Sequence, residues 1–236
     1  MRTVVEIVAR AGPAGRTVLP VVRASGQFAV RRTGASSVHL VATAFGPLGG
    51  DQADVSVVVE EGARLCVRSV AAAVALPSRG EPRPSRQRIT ADVAGTLDLR
   101  LEPTVVAARA HHLAELAVEL TDDALLTATE QVLLGRSGEE PGRWTGTTRI
   151  VRNGRPLLHT TVGLGPGEPA WLPPGAPRAY ASTVHIGADA DVLTGEDAVR
   201  LPLAGGWVTT AWGDELHRVV RTADGLTPGS RARVTA

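Results

Sequence analysis

His39 to Arg68 reads HLVATAFGPLGGDQADVSVVVEEGARLCVR, and the fold follows from how this stretch divides. His39 to Thr43 and Val55 to Val59 are Val-rich runs of strand length, a composition that suits a pleated, half-buried surface. Between them, Gly46-Pro47-Leu48-Gly49-Gly50-Asp51 offers little that could continue a strand or a helix and reads as a structured turn. Adjacent glycines admit positive φ or a close backbone approach, and the acid that follows can hold such a corner. Glu60-Glu61-Gly62-Ala63 forms a second turn, after which Leu65-Cys66-Val67 resumes extended chain.

The same unit of strand, short turn and strand recurs along the chain. Arg88 to Val93 turns at Gly95 into Leu97 to Leu101, and Leu116 to Leu120 turns at Asp122-Asp123 into Leu125 to Thr129. Arg149 to Arg152 turns at Asn153-Gly154 into Leu157 to Val162, and Thr183 to Ile186 reaches a turn at Gly187. The turns at 62, 95, 123, 154 and 187 are separated by 33, 28, 31 and 33 residues. Such spacing points to stacked β units, none able to bury its apolar face alone, although an ordinary sandwich also spaces its hairpins regularly. In both cases the class is all-β.

The flanks fit this picture. Thr3 to Val8 and Thr17 to Val22, with Gly12-Pro13-Ala14-Gly15 between them, read as an opening pair of strands. Ser25 to Arg32 is mixed and closes at Arg31-Arg32-Thr33-Gly34. Pro77 to Arg88 is proline-rich and basic and reads as an exposed loop. Gly165 to Arg178 has too many prolines for regular structure. Strand-like runs resume on both sides of it, so it reads as a connection inside one domain spanning 1–236. Gly206 to Ala211 is strand-like; Asp214 then caps a short helix in which Leu216, Val219 and Val220 share a face, and Gly225 to Ala236 reads as a frayed tail.

Composition removes several function classes. A net charge of +1 with interspersed signs gives no field for collecting phosphates, so nucleic acid is not an expected partner. The chain has no lysine, which excludes a P-loop, a Schiff-base pyridoxal site and a protein kinase. Cys66 stands alone, without a disulfide or Cys-x-x-Cys partner, and reads as a small buried hydrophobe. No apolar run approaches the roughly 18 residues of a membrane helix, and Met1 to Glu6 lacks the apolar core of a secretory signal. The expectation is a cytoplasmic protein with no membrane partner.

Motifs for catalysis are missing. Of the six histidines only His111 and His112 are adjacent, and in a strand they point to opposite faces. Neither His-x-x-x-His nor Gly-x-Ser-x-Gly nor Gly-x-Gly-x-x-Gly occurs, so no enzyme activity and no stably bound cofactor is expected. Two corners remain: Gly49-Gly50-Asp51, and Gly135-Arg136 with Gly138-Glu139. Each carboxylate either holds its own turn by accepting backbone hydrogen bonds or faces an internal passage or a partner, where it could hold a passing divalent ion weakly.

The Gly49-Gly50-Asp51 corner, the strand and turn from Val58 to Leu65 with Gly62, the run Leu101-Glu102-Pro103-Thr104-Val105-Val106, and Gly135-Arg136-Ser137-Gly138-Glu139 together resemble the UreD (UreH) family of urease accessory proteins. The resemblance covers about Arg32 to Val162 and rests on the order and spacing of these motifs. It implies an all-β fold like a right-handed β-helix with one or two short helices. It also implies a non-enzymatic scaffold or chaperone that binds apo-urease and recruits UreF and the GTPase UreG for nickel insertion. Nickel is then cargo in transit, and Asp51 and Glu139 are candidates for its path. The contrasting expectation is a free-standing all-β structural or binding protein with no part in nickel delivery.

Overall fold

The protein, seen here as a computed structural model, is described over residues 1–168 and 177–228. β1 (Arg2–Ala11) and β2 (Thr17–Ser25) make the expected opening antiparallel hairpin, joined through a 3-10 turn at Pro13–Gly15. β3 (Phe28–Gly34) and β4 (Ser37–Ala42) make a second hairpin, which takes in part of the stretch read as mixed. Three coils follow. The first is β5 (Gln52–Val59), β6 (Arg64–Ser69) and β7 (Ala73–Ala75); the second is β8 (Ser85–Val93), β9 (Thr96–Arg100) and β10 (Thr104–Val106); the third is β11 (His111–Leu120) and β12 (Leu125–Leu134). The chain ends with β13 (Arg143–Arg152), β14 (Arg155–Leu164), β15 (Ala179–Ile186), β16 (Leu193–Thr194), β17 (Ala198–Leu203), β18 (Gly206–Gly213) and helix α1 (Leu216–Gly225).

Two sheets face each other. One has the order β14-β13-β11-β8-β5-β1-β2, and the other runs β16-β17-β18-β15-β12-β9-β6-β4-β3 with β10 and β7 branching from β12. β1, β5, β8, β11 and β13 are mutually parallel, as are β4, β6, β9 and β12. Each coil crosses from one sheet to the other at the turns read from Gly62, Gly95 and Asp122-Asp123, so these three units do stack.

The corners bond directly to one another. Thr96 N–H donates to Ala63 O at 2.9 Å and Leu125 N–H to Gly95 O at 2.9 Å. A Cβ on Gly95 would lie 2.2 Å from Ala63 O and 2.6 Å from Glu60 O, so the stack admits only glycine there. Behind the corners, Val55, Val57 and Val59, Ile89, Ala91 and Val93, and Val118 and Leu120 meet Leu65, Val67, Leu97, Leu99 and Leu126 in one buried core. Leu65, Leu97 and Leu126 are register partners and form a ladder through the opposite sheet.

The later units differ from the repeat expectation. β13 and β14 form an antiparallel hairpin within one sheet, and Gly187 leads towards the antiparallel strands β16 to β18. Asn153 and Gly154 both have positive φ, at 46° and 74°, as a two-residue hairpin turn requires. Such a turn returns the chain to its own sheet, whereas Ala94-Gly95, equally short but without positive φ at Gly95, carries the chain from β8 to β9 in the facing sheet.

Other boundaries shift as well. β8 begins at Ser85, not Arg88, because Ser85 and Arg86 are already in register with His112 and Gln52; the loop is therefore 77–84. The helix is entered at Glu215, not Asp214, and no side chain caps it. Cys66 is half-buried, because it faces outward between the inward Leu65 and Val67. Part of the proline-rich connection (169–176) and of the tail (229–236) lies outside the described residues. Pro20 lies on the outermost strand β2, Pro156 on β14, and Pro202 on the part of β17 that β16 does not pair.

Leu97 is fully buried in the ladder, so Leu97→Ala should destabilise the protein by about 2–5 kcal/mol in urea unfolding. Leu125→Ala, at the exposed first position of β12, should stay within about 0.5 kcal/mol of the parent. Equal losses at both sites would mean that the ladder is not the core.

Candidate functional site

Asp51 is buried and closes the first corner. Its Oδ2 accepts from Leu48 N–H at 2.9 Å and from Gln27 Nε2 at 2.7 Å, while Oδ1 meets the Met1 amino group. Burial alone would raise its pKa, but hydrogen bonds from Met1, Leu48 and Gln27 outweigh that and leave the carboxyl below its ordinary value. Gly49 and Gly50 shape the approach. A Cβ on Gly49 would lie 2.4 Å from Arg83 O, and Gly50 has φ 92°.

Glu139 sits at the second corner, away from Asp51. Arg136 grips it with two bonds of 2.9 Å, from Nε to Oε2 and from Nη2 to Oε1, and Arg136 N–H donates to Oε2 at 3.0 Å. These bonds lower its pKa to about 2. Arg178 braces the corner from inside, donating to Leu134 O and to Glu139 O at 2.7 Å. Gly135 and Gly138 take φ of 74° and 71°, and a side chain on Gly135 would strike Arg178. Gly135, Arg136 and Gly138 line one wall of an open groove of about 1060 Å3, and Leu216, His217 and Val220 of α1 line the other. Gly62 serves the coil corner, with φ 72°.

Between the sheets runs a third feature that neither corner announces. Thr3, Ala53, Gln87, Ala114 and Gly146 are register partners across β1, β5, β8, β11 and β13. This row is small or polar where the rows beside the core carry Val, Ile and Leu, and it leaves space. A cavity of about 30 Å3 lies at the Asp51 end and one of about 70 Å3 further along, with Gln87 in the wall of both. Glu130 enters the larger cavity from β12, on the same face as Ala128 and Val132. A Cβ on Gly146 would lie 2.2 Å from Trp144 Cζ2 and 3.1 Å from Glu130 Oε2, so glycine makes room for both.

The polar atoms around the larger cavity are deeply placed. His112 points inward and is 1% exposed, while its neighbour His111 points outward, as strand alternation expects. Ser85 Oγ lies 2.9 Å from His112 Nδ1. His112 Nε2 and Trp144 Nε1 are buried and have no partner among the described residues. Trp144 packs on Tyr180 with ring centroids 5.4 Å apart. Sequence reading passed over Glu130, although the inward series Leu126, Ala128, Glu130, Val132 and Leu134 puts one acid on an apolar face.

These groups have opposite pH signatures. Burial, and secondarily His111, lowers His112 to about 4. An unfolded histidine binds its proton near about 6.5, so His112 weakens the fold as pH falls from about 6.5 to about 4. Burial raises Glu130 to about 7. Since an unfolded glutamate ionises near about 4.3, Glu130 weakens the fold as pH rises from about 4.3 to about 7. Glu130→Gln removes only the second contribution. The variant should therefore gain stability over the parent as pH rises through that window, by at most about 1.4 kcal/mol per pH unit, and level off above it. Parallel urea-unfolding profiles for the two proteins would rule this out.

Comparison with known proteins agrees with the motif reading. The family described as UreD urease accessory protein matches residues 4–227. A urease accessory protein UreD of Frankia alni is 41% identical over 206 residues, covering 76% of this chain and 69% of that protein. Those of Streptomyces avermitilis and Streptomyces coelicolor are 36% and 34% identical, covering 87% and 95% of this chain and the same shares of their own lengths. No helix among the described residues is long and apolar enough to cross a membrane. A match over nearly the whole chain, with a relative covered over 95% of both lengths, makes this protein a member of the UreD urease accessory protein family, whose role lies in urease maturation.

Proposed function

We propose that this chain is a non-enzymatic cytoplasmic scaffold that binds apo-urease, recruits UreF and the GTPase UreG, and gives nickel a route towards the urease active site. The observation that carries the reading is the row of small and polar residues between the sheets, with Asp51 at one end and Glu130 further along. In an interior otherwise built from Val, Leu, Ile and Ala, a row of small and polar residues that leaves space forfeits apolar burial. Passage of a hydrated cation accounts for that cost. Spaced carboxylates can take up and release a divalent ion with little trapping. Asp51 lines the smaller cavity at one end of this row. Glu139 lies at the rim of the groove beside α1, where Arg136 and Gly135 to Gly138 give a partner a rigid corner to read.

The experiment is reconstitution: apo-urease, UreF and UreG with nickel, assayed for urease activity with and without this chain. Activation should depend on the chain, and a complex with apo-urease should co-purify. Asp51→Ala should reduce activation and also lower stability by about 1–3 kcal/mol, because Leu48 N–H and the Gln27 amide lose their acceptor. Glu139→Ala should weaken the complex without changing the interior. If the chain neither binds urease nor alters activation, the free-standing reading replaces this one.

A further inference from the structure

We infer that His112 Nε2 and Glu130 form a weak two-ligand site for a borderline first-row divalent cation inside the larger cavity. The inference rests on the reading above only in taking that cation to be nickel. Both residues line the one cavity, His112 from β11 and Glu130 from the facing β12. Trp144, the register partner of His112, lies beside Glu130, since its indole and Glu130 Oε2 both approach the vacant Cβ position of Gly146.

Ser85 is placed to serve as an outer partner of His112. Ser85 Oγ lies 2.9 Å from His112 Nδ1 and 3.5 Å from His111 O. A hydroxyl that donates to this carbonyl accepts from Nδ1–H, and the imidazole lone pair is then on Nε2. That nitrogen is buried and has no partner among the described residues, which is the arrangement a metal-ligating histidine uses, its other ring nitrogen held by an outer partner. The cavity lining contains no arginine to repel a cation. Its volume of about 70 Å3 exceeds the roughly 10–15 Å3 that one water needs, so waters can complete the coordination.

One imidazole nitrogen and one carboxylate oxygen suit nickel, cobalt or zinc better than calcium or magnesium, which prefer oxygen throughout. Two protein ligands in place of the closed set of four in a structural zinc site make the hold exchangeable.

The test is nickel binding by the purified chain, followed by calorimetry and nickel-edge X-ray absorption. The unsubstituted protein should bind nickel with scattering from one imidazole. Glu130→Gln should weaken binding at least about tenfold, and Ser85→Ala, which leaves both ligands in place, by about tenfold or more. His112→Gln should abolish the imidazole signature. Circular dichroism on each variant reports folding, and the absorption spectrum of the parent needs no variant at all. Absence of imidazole scattering in the parent, or unchanged affinity in a folded Glu130→Gln, overturns the site. Running the urease activation assay in parallel separates the two ideas. Activation that needs the chain without an imidazole-bound nickel keeps the scaffold and removes the site, whereas nickel whose imidazole scattering disappears in His112→Gln, on a chain that neither binds urease nor alters activation, keeps the site and removes the scaffold.

Discussion

Parallel strands cannot be joined by a tight turn and need a crossover. In this protein the crossover for each sheet is a strand of the other: β6 and then β7 carry the chain from β5 to β8, and β8 carries it from β7 to β9. Neither sheet can form its parallel ladder without the other being laid down at the same time. Everything else follows from that mutual dependence, including the stacked corners, the glycine at position 95, and a core that belongs equally to both sheets.

The interior is consequently divided along the strands. Towards the Gly62, Gly95 and Asp122 corners it is close-packed Val, Leu, Ile and Ala. Towards the opposite ends of the same strands it holds Thr3, Asp51, Ser85, Gln87, His112 and Glu130. The apolar half fixes the register that places the polar half. Because a one-residue slip would turn every side chain to the other face, Val55, Ile89 and Leu116 hold Ala53, Gln87 and Ala114 along their row.

Much of the fold was legible in the sequence because its corners are local. Gly62, Gly95 and Asp122-Asp123 stand between runs of clear alternation, and the stack follows from their spacing. Asn153-Gly154 encodes its own hairpin of β13 and β14 locally, whereas β15 pairs with β12 by long-range antiparallel contacts that the spacing at Gly187 does not encode. The start of β8 was hidden for a similar reason, since Arg86 and Gln87 are extended through their neighbours and not through their own propensity. Asp51 was legible as the acid of a glycine corner. Glu130 and His112 come together only when two sheets close on each other, and their partnership lies beyond the reach of spacing along one strand.

The prolines on the outer strands have a consequence for the molecule as an assembly unit. A coil that grows by adding parallel strands has no intrinsic length, and its open sides could accept further strands from other copies. Here antiparallel hairpins close both sides of the seven-stranded sheet, and Pro20 and Pro156 deprive those outermost strands of a donor. Pro202 does the same where β16 leaves β17 uncovered. On the seven-stranded sheet an architecture that is open-ended in principle is thereby made finite, whereas β3, an outermost strand of the larger sheet, carries no proline and keeps its row of backbone donors.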